Sequence, residues 1–255
     1  MSGKLYIVPT PVGNLADMAP RAIDTLRRVA AIYAEDTRTS GVVLRHFGID
    51  TPMLSFHKFN EHKVLGSVMA RLEAGEELAL VSDAGTPGIS DPGFLLSREC
   101  RHRDIPIETL PGPTAFVPAL VNSGLPCERF CFEGFLPPKK GRETRLREIA
   151  AETRSTIIYE SPLRLVKTLA QLAEVCGSDR EASVSREISK VHDTTVRGTL
   201  GYLKNYFEQN NPRGEIVIIV GSASATCAAG DTAAEVHRRV HRNKYRADAA
   251  STEEE

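Results

Sequence analysis

Three times in the first 115 residues a short apolar run breaks into a turn of proline, glycine and small polar residues, and each turn opens into a helical pattern. Leu5-Tyr6-Ile7-Val8 leads into Pro9-Thr10-Pro11-Val12-Gly13-Asn14. The 78–81 run leads into Ser82-Asp83-Ala84-Gly85-Thr86-Pro87-Gly88-Ile89-Ser90-Asp91-Pro92-Gly93, and the 106–109 run into Leu110-Pro111-Gly112-Pro113-Thr114-Ala115. Strand–turn–helix repetition of this kind implies βαβ units and a mainly parallel sheet. In such sheets ligands sit beyond the carboxyl ends of the strands, so the three turns are expected to line one pocket.

Around these anchors, strands are expected at 4–8, 31–34, 78–81 and 106–109. Helices are expected after a cap at Asp17 with Pro20 in the first turn, over 38–47 behind a Thr37 cap, from Asn60 to a stop at Gly75, and from Asp91-Pro92. Near residue 125 the pattern changes. Strands at 130–133, 156–159, 182–186, 193–197 and 215–220 are separated by fewer helices, at 142–151, 163–175 and 199–207. That spacing indicates a second, partly antiparallel sheet. The expected division is an α/β domain over 1–118, a second α/β domain over 119–221, and a polar, mobile tail over 222–255 with a basic helical stretch at 232–246.

Composition limits the partners. At 41% hydrophobic the chain can build a core, which excludes wholesale disorder. With 32 Lys+Arg against 33 Asp+Glu the net charge is −1, so nucleic acid is not held by bulk charge, although a local basic patch remains open. Tryptophan is absent and aromatics make up 6%, which makes a base-stacking platform a poor first guess. The N-terminal apolar run is too short for a signal-peptide core, and no stretch nears the roughly 20 apolar residues of a membrane helix. Five cysteines include one close pair, Cys127 and Cys131, with no second pair nearby. They are read as reduced thiols of a cytoplasmic protein, with no metal site expected.

The 82–93 loop contains no Lys or Arg, so it lacks the ending of a phosphate-binding loop. Its acidic and hydroxyl side chains suit a ligand with an ammonium group, ribose hydroxyls or a positive sulfur. Asp83, at the strand end, is expected to contact ligand; Asp91 is read as a helix cap. Lys139, Lys140, Arg142, Arg145 and Arg147 form a basic cluster beside Pro137-Pro138, suited to RNA phosphates. The alternative is a solvated helix face diluted by Glu143 and Glu148.

Taken in order, Thr10-Pro11-Val12-Gly13-Asn14-Leu15, Ala34-Glu35-Asp36-Thr37-Arg38, Ser82–Pro92, the Pro111–Ala115 turn, Phe132-Glu133-Gly134-Phe135-Leu136-Pro137, Tyr159-Glu160 and Pro212-Arg213-Gly214-Glu215 resemble a known family. It is the ribosomal RNA small-subunit methyltransferase I branch of the tetrapyrrole-methylase-like superfamily, and the likeness covers about residues 3–221. The resemblance implies a two-domain class III methyltransferase fold, S-adenosylmethionine in the cleft between domains, a homodimer, and 2′-O-methylation of a cytidine ribose in the decoding region of 16S rRNA within the small subunit. It carries cofactor contacts to Pro11, Ser82, Asp83, Thr86, Thr114, Ala115, Glu160 and Gly198. The chain departs from the family at His57-Lys58-Phe59-Asn60-Glu61, where a His-Glu-His-Asn-Glu run is usual, at Leu163, and after the last strand.

A ribose hydroxyl is a poor nucleophile until its proton is lost or strongly hydrogen-bonded. Candidate bases are Asp36, His57, Glu61, Glu187 and His192, with Asp36 or Glu187 expected to act. For Asp36 an N-cap with an Asp–Arg ion pair is an equal alternative. Arg38, Arg186 and Lys190 join Lys139, Lys140, Arg142 and Arg145 as expected RNA contacts. Competing readings are methylation of a tetrapyrrole or other small acceptor on the same fold, and a non-catalytic RNA-binding assembly factor.

Overall fold

The computed structural model describes residues 2–223. The expected tail beyond residue 223, with its basic 232–246 stretch and Cys227, lies outside the described residues.

The first sheet is built from β1 (Lys4–Ile7), β2 (Ala31–Ala34), β3 (Met53–Ser55), β4 (Glu77–Val81) and β5 (Ile107–Thr109), in the order β3-β2-β4-β1-β5. All four pairings are parallel. Helices α1 (Pro20–Arg28) and α2 (Thr37–His46) cover one face, and α3 (Glu61–Glu73) and α4 (Phe94–His102) the other. Alternation along the strands explains the split. Leu5, Ile7, Tyr33, Leu78 and Leu80 pack with Met69, Leu72 and Leu96, whereas Tyr6, Val8, Ile32, Ala79 and Val81 pack with Leu26 and Leu44. Burying both faces requires near-continuous apolar runs, which is why no polar alternation marks these strands.

After β1 the chain crosses toward β2 on the α1 face, and after β4 it crosses toward β5 on the α4 face. The turns leaving β1 and β4 therefore diverge at the topological switch point, where a crevice opens. They are tied together before they part: the Thr10 and Gly85 backbones exchange two hydrogen bonds of 2.9 Å, and Thr10 Oγ1 donates to the Ser82 carbonyl at 3.1 Å.

Helix α5 (Phe116–Ser123) carries the chain across to the second sheet. That sheet comprises β6 (Phe130–Phe135), β7 (Ser155–Glu160), β8 (Glu181–Arg186), β9 (Thr194–Thr199) and β10 (Ile216–Val220), in the order β6-β7-β10-β8-β9. The β6–β7 pair is parallel and the other pairs antiparallel, giving a mixed sheet. The fold is therefore α/β, parallel in its first sheet and mixed in its second. Helices α6 (Arg142–Ala151), α7 (Leu165–Cys176) and α8 (Leu200–Gln209) bury one face. The last strand among the described residues, β10, is central and buried at all five positions. Ala119 and Leu120 of α5 pack on the opposite face, against Ile157, Val217 and Ile219. The helix thus straddles the expected 118/119 boundary and docks on the second sheet.

Local signals shift several boundaries. Asp36, not Thr37, is the N-cap of α2, and its carboxylate accepts from Arg38 N. Asp17 sits in a single 3-10 turn capped by Asn14, while α1 begins at Pro20 after Ala19. Strand β3 was not expected, because three residues at a sheet edge, two of them exposed, leave no periodic signature. Thr199 ends β9 and caps α8, accepting from Tyr202 N. Asp91 does not cap α4, which starts three residues later, behind its N-cap Gly93. Only glycine fits there, since its φ is +138° and a Cβ would lie 2.8 Å from Leu80 Cδ2.

Candidate functional site

The crevice between the sheets is a cavity of about 450 Å³, within the usual range for small-molecule sites. The first domain supplies Val12 from the β1 turn, Glu35 from the end of β2, the 83–91 loop after β4, and Thr114 and Ala115 before α5. The second domain supplies Phe135, the Tyr159–Pro162 corner after β7, Ile188, and Gly214 through Val217 leading into β10. The domains also touch at the rim, where Ser189 Oγ donates to Asp17 Oδ2 at 2.6 Å.

The carboxyl groups set the chemistry. Glu35, Asp83, Asp91, Glu160 and Glu215 all line the cavity, and none of the described lining residues is Lys or Arg. Glu160 is already neutralised: Oε1 accepts from Ser161 N at 2.8 Å and pairs with Arg164 at 2.7 Å, and Oε2 accepts from Thr168 Oγ1 at 2.7 Å. Glu215 pairs with Lys190 at 3.1 Å, whereas Glu35, Asp83 and Asp91 lack such cations. Burial, then the neighbouring Asp83 charge, raises Glu35 above the usual carboxylate range. Burial also raises Asp83, opposed by the Asp36 N–H that donates to its Oδ1 at 3.0 Å. Asp91 goes furthest, pushed up to about 7 by burial and then by the Glu35 and Asp83 charges. Burial, and next Asp91, raises the Tyr159 hydroxyl to about 12, so the phenol stays a neutral donor.

An acidic group raised in the folded state binds protons that the unfolded chain has released. The Asp91 contribution to stability is thus full below about pH 4 and lost as pH rises through about 7. Asp91→Asn is expected to stabilise the protein at pH 8 by roughly 1–2 kcal/mol, with partial solvent access limiting the gain. The same change should flatten the pH dependence between about 4 and 7, and denaturant titrations at pH 5 and 8 measure both effects. Equal stability of mutant and parent at pH 8 would contradict the burial account.

Of the expected cofactor residues, Asp83, Thr86, Thr114, Ala115 and Glu160 come together on the cavity wall. Three do not line it. Ser82 is buried behind the loop, its Oγ donating to the Gly85 carbonyl at 3.1 Å. Pro11 is buried beside the lining residue Val12. Gly198 lies in edge strand β9, where a Cβ would meet Tyr202 Cδ1 at 2.6 Å, so its smallness serves packing against that ring.

The two expected bases are also occupied elsewhere. Asp36 is held down to about 2 by the side-chain and backbone hydrogen bonds from Arg38, with Oδ2 2.7 Å from Nη2. It is the cap and ion pair of the alternative reading. Glu187 is lowered, first by the Glu215 N–H and then by Lys190, both 2.9 Å from Oε1. Neither lines the cavity, and neither do His57, Glu61 or His192. Glu35 is not among the bases expected from the sequence, where the Glu35–Arg38 run at the strand end singles out Asp36. The local signal for it is the Asp36 cap, which commits that carboxylate to α2 and leaves Glu35 to face the cavity.

Among the expected RNA contacts, Lys139, Lys140 and Arg145 are exposed, and Arg38 is exposed while paired with Asp36. Arg145 pairs with Glu133 and Glu148. Arg186 donates to Thr194 Oγ1, and Lys190 is held by Glu187 and Glu215. Arg142 is a correction: its guanidinium points inward, donating to Gln171 Oε1 at 2.9 Å, Thr168 Oγ1 at 2.7 Å and the Pro137 carbonyl at 3.2 Å. It secures Thr168 and, through it, Glu160. Among the described residues no group of His, Cys, Asp and Glu is arranged to hold a metal ion, and no helix is long and apolar enough to cross a membrane.

A parallel sheet with its loops facing a mixed sheet across an acidic crevice defines the two-domain methylase class of α/β proteins. Solved structures share the fold: the methyltransferase CobJ superposes with a TM-score of 0.66 at 20% identity, covering 87% of this chain and 95% of that one. A cobalt precorrin-4 methyltransferase superposes at 0.62 and 16% identity, covering 86% and 95%. The chain belongs to the tetrapyrrole (corrin/porphyrin) methylase family, whose profile matches residues 4–204, and within it to the ribosomal RNA small subunit methyltransferase I group. Proteins of that name from Synechocystis sp. and Xylella fastidiosa are similar at 47% identity over 223 residues and 49% over 230. The first alignment covers 87% of this chain and 80% of the relative, and the second 89% and 84%.

Proposed function

We propose that the protein is an S-adenosylmethionine-dependent methyltransferase that modifies small-subunit ribosomal RNA, at the 2′-hydroxyl of a cytidine ribose in the 16S decoding region. The observation that carries this reading is the cavity itself. Glu35, Asp83 and Asp91 stand together with no lining Lys or Arg, a setting suited to a ligand bearing sulfonium and ammonium charge. When bound, S-adenosylmethionine supplies a methyl group activated by that sulfonium. Thr86, Thr114 and Ala115 are placed to hold its polar edges, and Tyr159 and Ile216 to exclude water. Glu35 and Asp91 replace Asp36 and Glu187 as the groups placed to take the proton from an incoming hydroxyl.

The names of the relatives support ribosomal RNA as acceptor, and the homodimer and cytoplasmic setting belong to the same reading. The exposed Lys139, Lys140 and Arg145 offer backbone contacts. A tetrapyrrole acceptor is disfavoured on electrostatic grounds, because a carboxylate-bearing macrocycle would meet three carboxyls without a lining cation. Calorimetry with S-adenosylmethionine, followed by mapping of ribose methylation on small-subunit particles incubated with protein and cofactor, tests the proposal. Saturable cofactor binding and one new modified ribose are expected. A purified protein that binds no cofactor removes the enzyme reading and leaves the assembly-factor alternative.

Charge at the 139–145 segment is separable from the chemistry. Replacing Lys139 and Lys140 together with alanine is expected to lower the slope of log affinity against log salt by about 1–2, through lost phosphate contacts. Filter binding across a salt series measures it. An unchanged slope would move RNA docking elsewhere on the surface.

A further inference from the structure

Strand β6 carries one residue too many. Phe132 pairs with Ile157 and Gly134 with Ile158, so Glu133 bulges out of the ladder. Without that bulge Phe135 would pair with Glu160 and turn toward the α7 side, where Thr168 and Arg142 crowd the carboxylate. With it Phe135 pairs with Tyr159 and faces the cavity. Gly134 makes the kink with φ +60°, and a Cβ there would lie 2.7 Å from Ser90 Oγ of the opposite domain. The sequence thus spends a bulge and an obligatory glycine on placing one ring.

That ring ends an aromatic row. Phe116 lies 5.1 Å from Phe132, Phe132 lies 5.2 Å from Tyr159, and Tyr159 lies 5.6 Å from Phe135, each between ring centroids. The inner rings are half-buried, whereas Phe135 remains 56% exposed although it lines the cavity, as does Ile89 at 42%. Two large apolar groups, one on each domain and both open to solvent, belong at the mouth of the cavity. A polynucleotide cannot enter a space of about 450 Å³, so only an extruded nucleotide reaches the carboxyls. Its ribose hydroxyl is the part that must reach those carboxyls, which leaves the base, flat and uncharged, at the mouth. RNA-binding proteins hold unstacked bases on aromatic faces.

We propose that Phe135, opposed by Ile89, is the stacking site for the extruded base of the acceptor nucleotide, which sets its ribose toward Tyr159 and Asp91. The proposal rests on the RNA-methylation reading above and goes further by naming where the acceptor base lies. Phe135 is in this role a positioning residue.

The chain contains no tryptophan, so Phe135→Trp introduces a single reporter. Its fluorescence is expected to be quenched by an oligoribonucleotide with an unpaired cytidine and to be unchanged by S-adenosylmethionine alone. Phe135→Ala is expected to lower kcat/KM for RNA by about 10- to 100-fold with cofactor affinity unchanged, and Phe135→Tyr to restore most of it. Quenching by the cofactor alone, or weakened cofactor binding in Phe135→Ala, would overturn the proposal by assigning the ring to the cofactor. So would Phe135→Ala acting on RNA as well as its parent. Failure of the unsubstituted protein to methylate RNA defeats the function reading instead, and the stacking site with it.

Discussion

Glu35→Gln and Asp91→Asn are each expected to slow single-turnover methyl transfer by about 10²- to 10⁴-fold at saturating RNA, the usual contribution of a positioned proton acceptor. The carboxylate is the active form, so the rate of the unsubstituted protein should rise with pH through about 7, where Asp91 ionises, and then level off. The groups are coupled, because the Glu35 charge raises Asp91 and the Asp83 charge raises both; a measured midpoint belongs to the cluster. Asp36→Asn makes the contrast. That carboxylate is held at about 2 by Arg38 and lies off the cavity wall, so its loss should change the rate less than tenfold. If Asp36→Asn were the slow variant and Glu35→Gln and Asp91→Asn kept the parent rate, proton transfer would have to be assigned outside the cavity.

Arg142→Ala is expected to be the most destabilising substitution in the basic segment, at about 3 kcal/mol. The guanidinium is nearly as buried as the Glu160 carboxylate, 9% and 0% exposed as side chains, and stands 3.9 Å from it. Truncation strips donors from Gln171, Thr168 and the Pro137 carbonyl and leaves Glu160 with Arg164 as its remaining cation. Arg142→Lys should recover only part of the loss, since one ammonium cannot span three acceptors held by a planar fork. Chemical denaturation measures the effect, and RNA binding by the folded variant supplies the second readout. A normal midpoint with a reduced salt slope would return Arg142 to the RNA-facing set.

What the residue string reveals here depends on how far away each determinant lies. The turns at 9–14, 82–93 and 110–115 were readable because glycine and proline encode backbone shape locally. So was the division into a parallel and a mixed sheet, which follows from the spacing of strands and helices. The orientation of Glu35 against Asp36 was not readable, since β2 is buried at all four positions and its apolar run carries no face information. Arg142 looked like Lys139 and Lys140 because its partners Thr168 and Gln171 sit 26 and 29 residues downstream. The cavity role of Phe135 was hidden for a similar reason. It depends on a one-residue bulge, which shows only against the partner strand, and a low aromatic content gave no hint that four rings would line up.

The central place of β10 bears on how the chain is made. Every strand of the first sheet lies within residues 4–109, so that sheet can close while synthesis continues. The second sheet has no such freedom. β7 and β8 bond only through β10, so until Val220 has been synthesised each keeps an unpaired edge. A nascent chain therefore exposes two apolar strand edges that are joined through β10. The first sheet has all its strands before the second begins, whereas the second must wait for β10 and keeps its edges open to mispairing until then.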